Sequence, residues 1–279
     1  MLFSAKLHDR PVQMKELVAY VSGIGVKGPG FSDWPEAEAV LSHVRPYVRA
    51  DTALPAPESL PSTERRRAGR VVKLALAVGL EAVRRASSDL VRLPAVFASS
   101  SGDGDNCNEI CQTLASANRE LSPTRFHNSV HNASAGYWSI AAGAQVASTT
   151  ICAYDASFAA GLLEALVQVT IARVDTALIA YDLDYPPPLY AVRPIPAPFG
   201  VALILQPNPG SFAFARLSAR IDTAAPDRLA DPELEALRSS IPAARGLVLL
   251  EAIARRKPTT VCIDYLTPET LRIEVTPCA

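Results

Sequence analysis

The strongest constraint on this chain is a series of short apolar runs that carry no charge and are separated by stretches of helical spacing. The runs are LVAYVSGIG (following Glu16 and ending at Gly25), LPAVFA inside LVRLPAVFASSSG, Thr176 to Tyr181 and GVALILQ. A strand with apolar side chains on successive positions has no polar face to offer water, so a layer must cover it on each side. Between the runs, apolar residues recur every three or four positions over Trp34 to Val44, from Ser62 or Thr63 (either one a capping residue) to Ala86, over Asn106 to Arg119, and over Ala133 to Ala142. Ala147 to Ala153 reads as a short strand, and Ser157 to Arg173 as a helix apolar enough to be buried all round. Strand and helix in alternation predict an α/β fold with a mostly parallel sheet and helices on both faces.

The pattern changes after Tyr181. Residues 184–198 are rich in proline, clearest in Tyr185-Pro-Pro-Pro, and read as a loop or an edge segment. GVALILQ and SFAFARLSARI read as strands paired antiparallel through Pro207-Asn-Pro-Gly. Helices are expected at 232–239 and 244–255, and TTVCIDYL and LRIEVTP close the chain as strands. This divides the chain into an N-terminal extension (1–16), a main domain (17–220) and a small α/β appendage (221–279) packed on it.

Charge and motifs exclude several function classes. A formal net charge of -1 gives no field to gather nucleic acid, and no run of about 18 apolar residues is free of charges and breakers, so neither nucleic acid nor membrane is an expected partner. The start lacks the apolar core and cleavage site of a signal peptide. The cysteines (Cys107, Cys111, Cys152, Cys262 and Cys278) are odd in number and scattered, which suits reduced thiols in a cytoplasm, with Cys107 and Cys111 expected as buried helix residues. The Gly102-Asp-Gly loop is no phosphate-binding motif, Gly-x-Ser-x-Gly does not occur, and no cofactor is implied. His127 and His131 lack the glutamate that a zinc-protease helix carries between its histidines.

Several segments, taken in order, resemble the N-terminal half of the β-ketoacyl synthases. They are Val21-Ser-Gly-Ile-Gly, PAVFASSSGDGD, Ser122-Pro123, Asn132-x-x-x-Gly136 with Ser139-Ile140 and Gly143, Arg173-Val-Asp175-Thr-Ala-Leu, and GVALILQ. The phrase FHNSVHNASAGYWSI is also similar to a subgroup of small ketosynthase-like proteins of aryl-polyene and xanthomonadin-type pigment pathways. The resemblance covers about residues 17–220 and implies a thiolase-like fold, acyl carrier protein as a partner, and assembly as a dimer, either with itself or with an active ketosynthase.

The resemblance also implies a nucleophile, and here the chain departs from the family. Family members carry a cysteine on a sharp strand-to-helix turn, where the helix N-terminus favours the thiolate that accepts the acyl group. Thr150-Ile-Cys152-Ala superficially resembles the family's Thr-Ala-Cys, but counting forward from Asn132 and Gly136, or back from Ala165 and Asp175, puts Asp155 at that position. Cys152 is then expected as a buried strand residue and Asp155 as a helix N-cap. Condensation in this family also needs two histidines, or a histidine and an asparagine, from the C-terminal half. The histidines here are His8, His43, His127 and His131, and none follows residue 131. The expected role is a non-condensing, chain-length-factor-like partner.

The alternatives are an acyltransferase or thioesterase-like enzyme using Cys152, and a carrier-protein docking module. His127, Asn128, His131 and Asn132, with Ser157 and Phe158, are the residues expected at the acyl pocket or dimer interface. The bland reading of the first four is that they satisfy buried backbone groups in a connector. Arg65, Arg66, Arg67 and Arg70 form a basic run, read either as a docking surface for an acidic carrier protein or as an ordinary solvated helix face.

Overall fold

The computed structural model describes residues 16–211 and 213–278. The first fifteen residues of the expected N-terminal extension, with His8 and the start read above as lacking a signal peptide, lie outside the described residues. β1 (Leu17–Lys27) opens the fold, followed by α1 (Trp34–Leu41), α2 (Ser62–Arg67) and α3 (Arg70–Ala86). Then come β2 (Ala95–Ala98), α4 (Gly104–Ala115), α5 (Pro123–His127), α6 (Ala133–Ala142), β3 (Ser148–Ile151), α7 (Ser157–Val167) and β4 (Thr176–Asp182). The remainder is α8 (Pro187–Tyr190), β5 (Phe199–Gln206), β6 (Ala215–Asp222), α9 (Pro232–Ser240), α10 (Leu247–Ala254), β7 (Thr259–Asp264) and β8 (Thr270–Pro277).

The strands form a single sheet in the order β3-β2-β4-β5-β1-β6-β8-β7. The sheet is mixed. Only β3, β2 and β4 run parallel, and every other pairing is antiparallel. The parallel strands are joined through helices, β2 to β3 by α4, α5 and α6 and β3 to β4 by α7, and this corrects the expectation of a mostly parallel sheet. β5 and β6 do not form the expected hairpin, because β1 lies between them and pairs with both. Residues 207–214 are long enough to step over one strand, a gap of about 10 Å at the usual strand spacing.

The side chains of β4 alternate between two cores, as the period of a strand requires. Leu178 and Ala180 face α1, α7 and α10, while Ala177, Ile179 and Tyr181 face α3 and α6. The glycines of Val21-Ser-Gly-Ile-Gly do not end β1, which continues to Lys27. A Cβ on Gly23 or Gly25 would lie 2.1 Å from the carbonyl oxygen of Ala82 or Val78, so these glycines let the α3 backbone settle directly onto β1.

The expected helix from Ser62 to Ala86 is two helices. The break falls at Ala68-Gly69, neither Ser62 nor Thr63 caps by its side chain, and Gly69 is the N-cap of α3. Nor is the helix from Ser157 buried all round. It continues from α7 into a π-helical turn, Gln168–Ala172, and Val167 and Ile171 are exposed. The stretch Tyr154–Ala172 is long and apolar enough to cross a membrane by length and composition alone, but half of it is buried inside the fold, where α7 packs on β2 and β4. That arrangement is a core helix.

Candidate functional site

The parallel strands point their carboxyl ends at one place, and polar groups collect there. This follows a general rule: ligands of parallel α/β sheets lie beyond the C-terminal strand ends, where main-chain groups are left unpaired. β2 delivers Ser99 and Ser100, β3 runs into Cys152, and β4 ends in Asp182.

Asp182 is fully buried. One carboxylate oxygen accepts from the Ser100 backbone N–H at 2.9 Å and from the Ser100 hydroxyl at 2.7 Å, and the other accepts from the Ala243 N–H at 2.8 Å. Burial outweighs these donors and pushes the carboxyl up to about 6.

Between β3 and α7 the chain turns sharply. Tyr154 has φ 52, a left-handed conformation unusual for an aromatic residue, within the short 3-10 turn Tyr154–Ala156. Ser157 closes the turn: its hydroxyl accepts from the Ala153 N–H and donates to the Tyr154 carbonyl. Asp155, expected as an N-cap, makes no cap bond to the helix. Its carboxylate is held instead by Arg193 at 2.5 Å, with Arg245 at 3.8 Å. The Arg193 guanidinium lies 3.7 Å from the centre of the Tyr154 ring and also donates to the Tyr185 hydroxyl and to Ser100. The loop between β4 and β5 thus places a planar cation over the turn that leads into α7.

Cys152 is exposed, not buried in the sheet as expected. It follows the last residue of β3, and its thiol donates to the Ser100 carbonyl at 3.2 Å.

The polar connector divides. Asn128 is buried and does structural work, donating to the Arg67 carbonyl and accepting from the Tyr137 hydroxyl. His131 packs on the Gly102 loop with its Nε2 buried. His127 and Asn132 are exposed, and because α5 ends at His127 the two histidines share no helix face. Phe158 does not line an open pocket. It is fully buried, and its ring fills the space that a side chain at Gly246 would need. Ser157 is likewise buried and occupied with its turn.

The basic run is largely neutralised. Arg65 pairs with Glu58, Arg67 with Glu64, and Arg70 with both Asp105 and Asp184, which leaves Arg66 as the one member without an acidic partner among the described residues. Cys107 and Cys111 are exposed on α4, contrary to the expectation of burial.

Sequence reasoning missed Ser100, Asp182, Arg193 and Arg245. One signal was available for Asp182, a lone carboxylate ending an otherwise apolar strand. Arg193 sat in a segment legible only as a proline-rich loop.

The family described as beta-ketoacyl synthase, N-terminal domain, matches residues 36–262. The chain belongs to that family. No curated protein sequence matches this β-ketoacyl synthase relative. Among solved structures it is similar to a chain of a ketosynthase (ApeO) in complex with its chain length factor (ApeC) from Xenorhabdus doucetiae, at 24% identity and TM-score 0.71, covering 92% of this chain and 99% of that one. It is similar to a chain of an ishigamide ketosynthase/chain length factor at 15% identity and TM-score 0.71, covering 94% of this chain and 100% of that one. A β-ketoacyl synthase from Burkholderia phymatum is similar at 15% identity and TM-score 0.54, with 81% of this chain and 70% of that chain covered. Likeness at these identities establishes the ketosynthase, thiolase-like fold.

Proposed function

We propose that this chain is a non-condensing partner of an active ketosynthase, helping to accommodate an acyl chain in polyketide or fatty-acid-type synthesis of the aryl-polyene kind. The observation that carries the reading is Asp155. At the turn where counting along the family pattern puts the nucleophile stands a carboxylate tied to Arg193 and Arg245. A carboxylate clamped by two guanidiniums is a poor acyl acceptor, and no histidine follows residue 131 to assist decarboxylation. Likeness to chains found in ketosynthase and chain length factor complexes supports the same reading.

The partner surface proposed is the free edge of the sheet at β3. That strand pairs only with β2; α6 packs beside it, Ile140 on α6 and Val146 in the turn into β3 are exposed, and Phe126 and Val130 are exposed on the connector that leads into α6. An unpaired strand edge beside exposed apolar groups is a template for another chain. Acyl carrier protein is the proposed third component, and the free cysteines fit a reducing cytoplasm.

A second reading is favoured by one observation, the exposure of Cys152, which leaves its thiol open to acyl transfer. Intact-protein mass after incubation with an acyl-loaded carrier protein separates the two. The partner reading expects no adduct, together with a stable complex when the chain is co-expressed with an aryl-polyene ketosynthase. An adduct lost in Cys152→Ala would overturn it in favour of a transferase.

A further inference from the structure

The outer face of α3 carries a cleft that the proposed partner role does not use. It has a volume of about 600 Å³ and lies between α3, the end of β1 and the loop around residues 55–59. That volume is within the range of roughly 300–1,000 Å³ typical of small-molecule sites. No residue of the β3 edge or of α4 to α6 lines it.

Its lining is divided by chemistry. Ala77, Leu80, Pro55 and Ala56 supply an apolar floor, with Leu76 buried beneath it. Lys27, Lys73, Arg84 and Arg85 stand around it with Asp33, Glu58 and Glu81, so a formal count comes close to neutral.

The acids, however, are engaged elsewhere. Asp33 caps α1 through the Glu36 N–H, and Glu58 pairs with Arg65. The Glu81 carboxylate accepts from the backbone N–H groups of Val26 and Trp34 and from Arg85. Lys73 and Arg84 have no acidic partner among the described residues, and the Lys27 ammonium donates only to the carbonyl of Ser32. The cleft therefore offers unneutralised cations beside an apolar floor.

We infer that this cleft binds an amphiphilic anion, a carboxylate or phosphate head on an apolar chain, with Lys73 and Arg84 holding the head and the surface of Ala77, Leu80, Pro55 and Ala56 taking the chain. An acyl-phosphopantetheine arm and a free acyl carboxylate share this chemistry. The neutral floor alone would not select a head group, and the cations alone would not select a chain, so both parts of the ligand are needed for tight binding.

Calorimetric titration of the full chain with octyl phosphate and octanoate, both well below micelle formation, tests this. The expected result is saturable binding of both, at least tenfold weaker in the Lys73→Gln/Arg84→Gln double variant. These side chains are surface cations without acidic partners, so the double variant keeps the fold, which its unchanged circular dichroism and melting temperature check. Octanol and inorganic phosphate are the controls, each expected to bind at least tenfold more weakly than octyl phosphate. Equal binding of octanol would reduce the site to a greasy surface, and equal binding of inorganic phosphate would reduce it to a simple anion site. Either result overturns the inference, as does undiminished binding in the double variant or no binding of octyl phosphate at millimolar concentration. Within a positive result, tighter binding of octanoyl-phosphopantetheine than of octanoate assigns the carrier-borne arm, and the reverse order assigns a free acyl anion.

Discussion

Asp182 makes a prediction that can be followed from atom to assay. It is fully buried at the end of β4, and burial raises its carboxyl from the ordinary 3.8 to about 6. The folded protein therefore holds this proton more tightly than the unfolded chain does. Its contribution to stability is complete below about pH 3.8 and is lost as the pH rises through about 6. At 1.36 kcal/mol per unit the shift amounts to about 3 kcal/mol, of which about 2 kcal/mol disappears between pH 4.5 and 7.5.

Asp182→Asn keeps the shape and removes the titration. Its amide nitrogen faces the backbone N–H of either Ser100 or Ala243, a penalty of about 1–3 kcal/mol that does not vary with pH. Urea unfolding of both proteins across this pH range isolates the group, because every other titration cancels in the difference. The unfolding free energy of the wild type minus that of the variant is expected to fall by about 2 kcal/mol from pH 4.5 to 7.5. A difference flat to within about 0.5 kcal/mol would show that the carboxyl titrates normally, and that its donors compensate for burial in full.

Gly25→Ala drives a Cβ into the Val78 carbonyl, which would lie 2.1 Å away, and is expected to cost about 3 kcal/mol or more by urea midpoint, since both backbones are fixed by packing. Arg193→Ala removes a half-exposed ion pair and the stacking on Tyr154, an expected loss of about 1 kcal/mol by thermal unfolding, and Arg193→Lys is expected not to restore it because an ammonium cannot both stack and fork. Phe126→Asp with Val130→Asp is expected to weaken association with a ketosynthase partner at least tenfold in analytical ultracentrifugation while leaving the melting temperature unchanged, because both side chains already face solvent.

Much of the fold is legible in the residues. Runs such as Thr176 to Tyr181 and GVALILQ announce buried strands because a charge-free strand has nowhere else to go, and α6 begins and ends where its spacing says, at Ala133 and Ala142. The last helices and strands were equally plain. Pairing was not legible. Pro207-Asn-Pro-Gly carries the residues of a tight turn, but β1 outcompetes β6 for the edge of β5, and that contest between segments far apart in sequence is decided by packing on α3 and α7.

The candidate site divides in the same way. Counting along the chain pointed to Asp155, because the order and spacing of segments is a property of sequence. What holds Asp155 came from elsewhere: Arg193 from a proline-rich loop and Arg245 from beside α10, each without meaning until the sheet brought them to the ends of β2, β3 and β4. Sequence by itself determined most of the strand and helix inventory, the place of Asp155 in the count along the family pattern and the lack of histidine between residue 131 and Ala279. Only the tertiary structure decided that Cys152 is exposed, that most of the basic run is neutralised and that an arginine lies over the turn before α7. The physical reason is that burial and charge pairing depend on distances between residues remote in the chain, which local spacing does not encode.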